Sequence, residues 1–108
     1  MDIVPFVEFK KLDIRAAKVL SVENHPNADK LYVLKIDLGG EQRQIVAGLR
    51  PYYTPEQLQG RTIVVVANLE PALLRGVESQ GMLLAAQDGA KVLLLQPDGA
   101  ATPGAQVR

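Results

Sequence analysis

The chain has 108 residues with 12 basic and 12 acidic side chains, so its formal net charge at pH 7 is zero. A chain of this length fits one domain with one hydrophobic core, and its neutral balance argues against nucleic-acid binding driven by excess positive charge alone. The absence of cysteine excludes disulfides and cysteine-bound zinc. Because no apolar run is long enough to cross a bilayer and no signal segment opens the chain, we expect a cytoplasmic protein without a membrane partner.

Both phenylalanines lie in the N-terminal arm, residues 1–11. Phe6 and Phe9 are three positions apart, so a helical turn would place both rings on one side, although an extended arm fits the pattern equally well. The two rings are expected either to cover the core or to contact a partner chain.

The segment from Leu12 to Glu23 predicts a long first strand. Alternation assigns one face to Ile14, Ala16, Leu20 and Val22, and the other to Arg15, Ala17, Val19 and Ser21. Lys18 interrupts the apolar face, which indicates a β-bulge or a bend near Ala17. The residues from His25 to Asp29 then predict a turn, because proline fixes φ and the Asn and Asp side chains hydrogen-bond to nearby backbone.

The second and third strands are predicted at Tyr32 to Leu38 and Gln42 to Ala47, joined by a turn at Gly39-Gly40. After the third strand, Thr54-Pro55-Glu56-Gln57 predicts a short helix that begins with a capping box. The segment from Arg61 to Asn68 carries β-branched residues on both faces, which predicts a well-buried fourth strand.

A fifth strand is predicted at Gly81 to Ala86, and residues 91–108 are predicted to form a C-terminal extension. Five short strands with a helix between the third and fourth are the layout of an OB-fold, an all-β Greek-key barrel that commonly binds oligonucleotides. A β-sandwich would need more strands than the chain offers. Since no internal repeat or linker divides the chain, residues 1–108 are predicted to form one domain.

The segment from Leu69 to Ala86 joins two strand-like runs and is the most informative part of the chain. It brings Arg75, Ser79 and Gln80 together with two glycines, Gly76 and Gly81, which allow close approach of the backbone. These groups can donate hydrogen bonds to phosphate, sugar or base, but they offer little means of breaking bonds. The segment therefore predicts a binding edge.

Catalytic and metal-binding chemistry is poorly represented. The only histidine, His25, lacks the partners of a catalytic set and companions at metal-ligand spacing, so a turn residue is its expected role. No phosphate-cradling motif and no dinucleotide fingerprint occur. We predict no enzyme, no metal site and no cofactor.

Five polar or flexible side chains are candidates for binding. Asn27 and Lys30 lie in the loop between the first two strands, which borders the ligand face of an OB-fold together with the loop after the fourth strand. Lys30 and Arg75 are candidate phosphate anchors, although each could be a plain surface cation. The amides of Asn27 and Asn68 need either a protein or a ligand partner. Met82 is expected in the core, or at its edge against a base.

Four segments together resemble one family: Lys11-Leu12-Asp13-Ile14-Arg15, His25-Pro26-Asn27-Ala28-Asp29-Lys30-Leu31, Gln44-Ile45-Val46-Ala47-Gly48-Leu49 and the run from Leu74 to Ala85. This set is similar to the tRNA-binding domain found at the C-terminus of bacterial methionyl-tRNA synthetases and as small stand-alone dimeric proteins. The resemblance implies an OB-fold homodimer that binds the outer corner of the L-shaped tRNA by shape and supplies no catalysis. It also implies a methionyl-tRNA synthetase as a further partner.

The resemblance also implies roles for individual residues. Positions tied to tRNA contact in the family correspond here to Asn27, Lys30, Ser79 and Met82, with Asn68 and Arg75 beside them. The regions around Phe6 and Phe9 and around Pro103-Gly104-Ala105 match the segments that extend the barrel and form the dimer.

Two positions depart from the family pattern, and one alternative function stays open. Ala47 stands where family members often have serine, so the binding face is expected to lack one hydroxyl, and Ala17 replaces a glycine common in the first strand. A related family of secretion chaperones makes a protein-binding or chaperone-like dimer the alternative to tRNA binding.

Overall fold

Short strands make up most of the molecule. The computed structural model describes residues 1–108, and its elements follow in the order α1 (Phe6–Phe9), β1 (Ile14–Asn24), β2 (Tyr32–Asp37), β3 (Gln42–Ala47), α2 (Pro55–Leu58), β4 (Thr62–Val66), β5 (Ala72–Leu74), β6 (Val77–Ser79), β7 (Met82–Leu83), β8 (Ala85–Asp88), β9 (Lys91–Leu94) and β10 (Gln106–Val107). None of the helices has the length and apolar character that spanning a membrane requires.

The main sheet is antiparallel and has the order β3-β2-β1-β4-β7, with β10 added beside β1. The first half of the long strand β1 pairs with β4 and its second half pairs with β2. The helix α2 lies in the connection between β3 and β4, and Thr54 and Gln57 form the predicted capping box. The sheet curls into the OB-type barrel that the sequence predicted.

A β-bulge in β1 sits later than predicted. The register with β2 shifts between Val19 and Ser21, so the extra residue is Leu20 and the position near Ala17 is regular. Because a bulge reverses the alternation of side chains, Ala17 and Val19 face the main core and Val22 packs against the same core. The predicted assignment of Val22 to the face opposite Ala17 and Val19 was therefore wrong.

The fourth strand is buried on both faces, as predicted. Ile63 and Val65 belong to the main core, whereas Val64 and Val66 form a second, smaller cluster with Ile14. The main core is otherwise built from the inner faces of β1, β2 and β3 and closed by Leu58 of α2. The connection that follows β4 therefore begins at the end of a strand that is packed on both faces.

That connection is a hairpin, where the sequence had predicted a loop. Strands β5 and β6 pair antiparallel around Arg75 and Gly76, whose φ angles are +52° and +90°. Two consecutive residues with positive φ match the tight turns whose twist suits a hairpin. The predicted fifth strand is also divided, since Met82–Leu83 pairs with β4 while Ala85–Asp88 forms a second hairpin with Lys91–Leu94.

The two chain ends meet beside the start of β1. Phe6 and Phe9 lie in α1 with ring centroids 6.4 Å apart, so the helical alternative for the arm is the one observed. Strand β10 pairs with Ile14 and Arg15. Between the two ends lies a cleft of about 410 Å³ lined by Phe6, Phe9, Lys10, Leu12, Gln106, Val107 and Arg108.

Candidate nucleic-acid interface

The loop between β1 and β2 touches the tip of the β5–β6 hairpin. The Nε2 atom of His25 lies 2.9 Å from the carbonyl oxygen of Leu74. The Asn27 amide donates to the Arg75 carbonyl at 3.3 Å, and the Arg75 guanidinium donates to the Asn27 carbonyl at 3.3 Å. The two loops that were predicted to border one ligand face are therefore in direct contact, and we refer to these three bonds as the inter-loop contact.

Each of the two loops carries one cation without a carboxylate partner. Arg75 is exposed, and one nitrogen of its guanidinium is used by the bond to Asn27 while the others face no acceptor of the chain. Lys30 is exposed, lies three residues after Asn27 and has no hydrogen-bond partner. Neither cation belongs to the ion pairs of the molecule, which are Lys11–Glu8, Arg15–Asp13 and Arg43–Glu41. Both are available to an anionic ligand such as phosphate.

The rest of the hairpin closes the barrel along the free edge of β3. The Ser79 hydroxyl accepts a bond from the Val46 amide at 2.9 Å and donates to the Gly81 carbonyl at 2.9 Å. Gln80 bonds to Gln44 twice, through its backbone N–H at 2.8 Å and through its side-chain oxygen, which accepts from the Gln44 N–H at 3.1 Å. The Ser79 and Gln80 side chains thus accept from two β3 N–H groups, and the Gln80 backbone N–H donates to the Gln44 carbonyl, where a neighbouring strand would otherwise pair.

Ser79 therefore sits beneath the surface of the candidate face. Only 4% of the residue is exposed, and its hydroxyl is already engaged on both sides. Its place in the motif is explained by barrel closure, and it offers no free donor to a ligand. The closure also requires glycine at position 81, because its φ is +142° and a Cβ there would lie 3.1 Å from the Val66 carbonyl oxygen.

Met82 and Asn68 lie at the base of the hairpin, away from its tip. Met82 pairs with Val66 in the sheet and is 49% exposed, so the surface position is the one observed. Both ends of the exposed Asn68 amide bond to the chain: its oxygen accepts from the Asp13 N–H at 2.7 Å and its nitrogen donates to the Lys11 carbonyl at 2.6 Å. Asn68 thus fastens the N-terminal arm to the end of β4.

The same corner holds the one strongly paired carboxylate. The Arg15 guanidinium donates to both oxygens of Asp13 at 2.9 and 2.7 Å, and these bonds lower the pKa of the Asp13 carboxyl. The Arg43 guanidinium donates to the Ala67 carbonyl nearby. Both arginines are occupied within the fold, in contrast to Arg75 at the hairpin tip.

The structure therefore separates the six predicted residues into three settings. Asn27 and Arg75 bond to each other at the tip, with Lys30 exposed in the same β1–β2 loop as Asn27. Met82 is exposed at the base, whereas Ser79 is buried and Asn68 is exposed but bonded to the chain. The expectation that Ala47 deprives the binding face of a hydroxyl was wrong. Ala47 is 8% exposed and lies in the main core, so the lack of a serine hydroxyl here does not remove a hydrogen-bond donor from the surface.

Sequence reasoning missed His25, for which only a turn was predicted. The residue is 3% exposed, and the Asn27 N–H donates to its Nδ1 at 2.9 Å while its Nε2 faces Leu74. A histidine placed between a strand and a tight turn has two ring nitrogens to satisfy, and that was the available signal. No three His, Cys, Asp or Glu side chains are grouped in a way that could hold a metal ion.

Residues 14–106 match the family model described as "Putative tRNA binding domain". The chain belongs to this tRNA-binding domain family. The resemblance found in the four sequence segments is thereby confirmed, since the matched region contains almost all of them.

Curated relatives of this tRNA-binding domain are methionine–tRNA ligases. The chain is 63% identical over 108 residues to the enzyme of Pyrococcus furiosus, and the match covers 100% of this chain and 15% of the relative. It is 60% identical over 100 residues to the enzyme of Thermotoga maritima, covering 93% of this chain and 16% of the relative. The chain thus spans about 15% of the length of the curated relatives it matches.

Solved structures agree in fold over the whole chain. A MetRS-related protein from Pyrococcus horikoshii superposes with a TM-score of 0.93 at 36% identity and full coverage of both chains. The chaperone CsaA of Bacillus anthracis superposes with a TM-score of 0.89 at 30% identity, covering 99% of this chain and 100% of the other. The C-terminal domain of Plasmodium vivax p43 gives 0.83 at 40% identity, covering 88% and 58%.

Proposed function

We propose that this domain binds folded tRNA at the outer corner of the L-shaped molecule and catalyses no reaction. It would do so as a free protein or as the tRNA-binding module of a methionyl-tRNA synthetase. The observation that carries the proposal is the inter-loop contact, which presents the unpaired cations Lys30 and Arg75 from two adjoining loops of a tRNA-binding family member. Two cations carried by turns that bond to each other suit a ligand with phosphates at a matching spacing.

Recognition by shape is favoured by the charge of the chain. The net charge is zero, so non-specific attraction to the RNA backbone is weak and only a few phosphates can be neutralised. A ligand must then present its phosphates where Lys30 and Arg75 lie. A folded RNA with a defined corner meets that condition better than a uniform duplex.

Each predicted residue has a distinct role in this proposal. Lys30 and Arg75 bind phosphate, and Asn27 holds the Arg75 turn through its side-chain amide. Met82 lies exposed at the other end of the hairpin, where its flexible thioether can pack against a base. Ser79 and Asn68 act indirectly, because both keep the hairpin and the N-terminal arm in place.

We further propose that two copies associate through their chain ends. In α1, Phe6 is 72% and Phe9 41% exposed, and the apolar cleft beside them is completed by Val107 of β10. Apolar surface of this kind on a small protein is characteristic of a protein contact. A single domain of residues 1–108, acting as a homodimer in the cytoplasm, is the assembly we propose.

The test is fluorescence anisotropy with folded tRNA at two salt concentrations, against an RNA duplex of matched charge. We expect tRNA to bind more tightly than the duplex, and Arg75→Gln to weaken binding by about tenfold, the loss of one phosphate contact. The salt dependence should also fall by about one phosphate, roughly 0.7–0.9 in the logarithmic slope.

Lys18→Gln is the matched control, because Lys18 is an exposed cation in the middle of β1. It pairs with Thr62 of β4, away from the inter-loop contact. It should leave tRNA affinity unchanged. Wild-type affinity in the Arg75 variant, or equal binding of tRNA and duplex, would contradict the proposed face.

A chaperone-like dimer is the second candidate, and the similarity to CsaA supports it. Such a protein would bind unfolded polypeptide through exposed apolar surface, and its binding should not depend on Lys30 or Arg75. Competition between labelled tRNA and an unfolded protein separates the two functions. Displacement of tRNA by the polypeptide, with Arg75→Gln still binding the polypeptide fully, would favour the chaperone.

A further inference from the structure

We infer that His25 is the positioning residue of the RNA-binding face, because its imidazole hydrogen-bonds to the backbone of both loops that form it. This inference rests on the proposed tRNA binding. One ring nitrogen faces the Asn27 N–H at 2.9 Å and the other faces the Leu74 carbonyl at 2.9 Å. The ring thus connects the β1–β2 loop, which carries Lys30, to the end of strand β5, immediately before Arg75.

The hydrogen bonds determine the tautomer of the ring. A backbone N–H can only donate, so Nδ1 must accept from Asn27 through its lone pair. The ring proton is then on Nε2, which donates it to the Leu74 carbonyl. Both ring nitrogens are used, one by the backbone of the β1–β2 loop and the other by the backbone of β5.

The hairpin needs such a fastening. Strands β5 and β6 form a two-stranded sheet of their own, and β5 has no other strand neighbour. A two-stranded hairpin is marginally stable by itself. Ser79 fastens its base to β3, whereas Leu73 and Leu74 are exposed at 73% and 39% and give the tip little apolar support.

The bond from His25 is the best protected contact at the tip. His25 is 3% exposed, while the two bonds between Asn27 and Arg75 are exposed and measure 3.3 Å. Exposed bonds of that length exchange readily with water. The buried imidazole therefore sets where the Arg75 turn lies relative to Lys30, and so reduces the ordering cost that RNA binding would otherwise carry.

Two substitutions each keep one of the two hydrogen bonds of the ring and remove the other. In His25→Asn the side-chain oxygen replaces Nδ1 and can accept from Asn27, but the side chain is too short to reach Leu74. In His25→Gln the longer side chain places an N–H near the position of Nε2 and can donate to Leu74. The pair thus separates the bond within the loop from the bond between the loops.

The experiment measures tRNA affinity of both variants in the full chain, after thermal melts show that each is folded. We expect His25→Asn to bind tRNA about tenfold more weakly with an unchanged salt slope, since the phosphate contacts themselves remain. His25→Gln should stay within about threefold of wild type. Combined with Arg75→Gln, the His25→Asn effect should shrink, because His25 acts through the position of Arg75.

A second readout is independent of RNA. Amide hydrogen exchange in β5 and β6 should accelerate in His25→Asn and stay near the wild-type rate in His25→Gln. Unchanged exchange in His25→Asn, or equal acceleration in both variants, would overturn the inference even if no variant binds tRNA. Protection that behaves as expected in a chain that does not bind tRNA would instead count against the proposed function and leave the role of His25 in the hairpin intact.

Discussion

The hairpin tip and the chain ends both leave unpartnered groups at the surface, but of opposite chemistry. At the tip and in the loop beside it the exposed groups are the cations Arg75 and Lys30, and the Arg75 turn is bonded to Asn27 and His25. At the chain ends they are aromatic, with Phe6 72% exposed beside an apolar cleft. Cations suit a ligand that is bound and released with changes in salt, whereas apolar rings suit a lasting protein contact.

The two regions are also held in place differently. Side chains fasten the hairpin, through Ser79 at its base and His25 at its tip. Backbone fastens the C-terminal tail, since the Gly104 N–H donates to the Ala16 carbonyl and the Ala16 N–H donates to the Ala105 carbonyl, both at 2.8 Å. The contrast predicts that substitutions of polar side chains weaken the hairpin, while the tail depends on the backbone conformation of its glycine.

The largest effect is expected at the aromatic arm. In the proposed dimer, replacing Phe6 and Phe9 together by glutamate should weaken self-association by 100-fold or more, because each ring buried on association would contribute about 2 kcal/mol and the arm would be present twice. Sedimentation across a range of concentrations measures the change. Tyr52→Glu is the control, since Tyr52 is a 44% exposed aromatic residue in a different cleft. An unchanged mass for the double variant would contradict the proposed dimer through the chain ends.

The next largest effect concerns the tail. Gly104 has a φ of +91°, and a Cβ there would lie 2.5 Å from the Leu38 carbonyl oxygen, so Gly104→Ala must displace backbone. We expect a loss of about 3 kcal/mol in the free energy of unfolding, from strain and from the lost pairing with β1. Gly99→Ala, at a glycine with open space around it, should be close to neutral in the same denaturant titration. Equal stability of the two variants would show that the tail is not tightly packed.

A smaller loss is expected at the base of the hairpin. Ser79→Ala leaves the Val46 N–H and the Gly81 carbonyl without partners in a buried site, which should cost about 2 kcal/mol of unfolding free energy. Because the Ser79 hydroxyl is inaccessible, tRNA affinity of the folded variant should stay near wild type. Ser21→Ala, at a half-buried serine without a hydrogen-bond partner, is the control. A large loss of affinity with little loss of stability would restore Ser79 as a direct contact.

The sequence predicts elements that depend on local residues better than elements that depend on distant ones. The capping box at Thr54 and the buried strand β4 depend on neighbouring residues alone, and both are observed. The β5–β6 hairpin does not, because its second strand is held by β3 residues such as Val46 that lie far away in the chain. Family resemblance could place Ser79 near the binding face, but its burial follows from that same long-range pairing.

Long-range packing also explains why the position of the β1 bulge and the setting of Ala47 were predicted wrongly. The bulge in β1 is at Leu20 because β1 has to leave β4 and continue beside β2, a change of partner that alternation within one strand does not encode. Once the bulge reverses the faces, Val22 returns to the main core. Ala47 lies in that core too, on a strand whose inner and outer faces were not assigned from the sequence.

The smallest predicted effect tests the charges near the chain ends, where the Arg15 guanidinium lowers the pKa of the Asp13 carboxyl from its ordinary value of 3.8. A carboxyl with a lowered pKa in the folded state stabilises the fold above its ordinary pKa, and this contribution is lost as the pH falls through the lowered value. Asp13→Asn should therefore reduce stability near neutral pH by less than about 1 kcal/mol, because the pair is partly exposed and screened.

The difference between wild type and Asp13→Asn should shrink toward zero in acid, which thermal melts between pH 7 and pH 2, roughly the range over which carboxyls titrate, would show. Asp2→Asn is the control, since Asp2 is exposed and has no ionic partner, so its curve should run parallel to that of the wild type. A constant difference for Asp13→Asn at every pH would mean that the carboxylate acts through packing or neutral hydrogen bonds. The ion pair would then contribute nothing to holding the chain ends against the barrel.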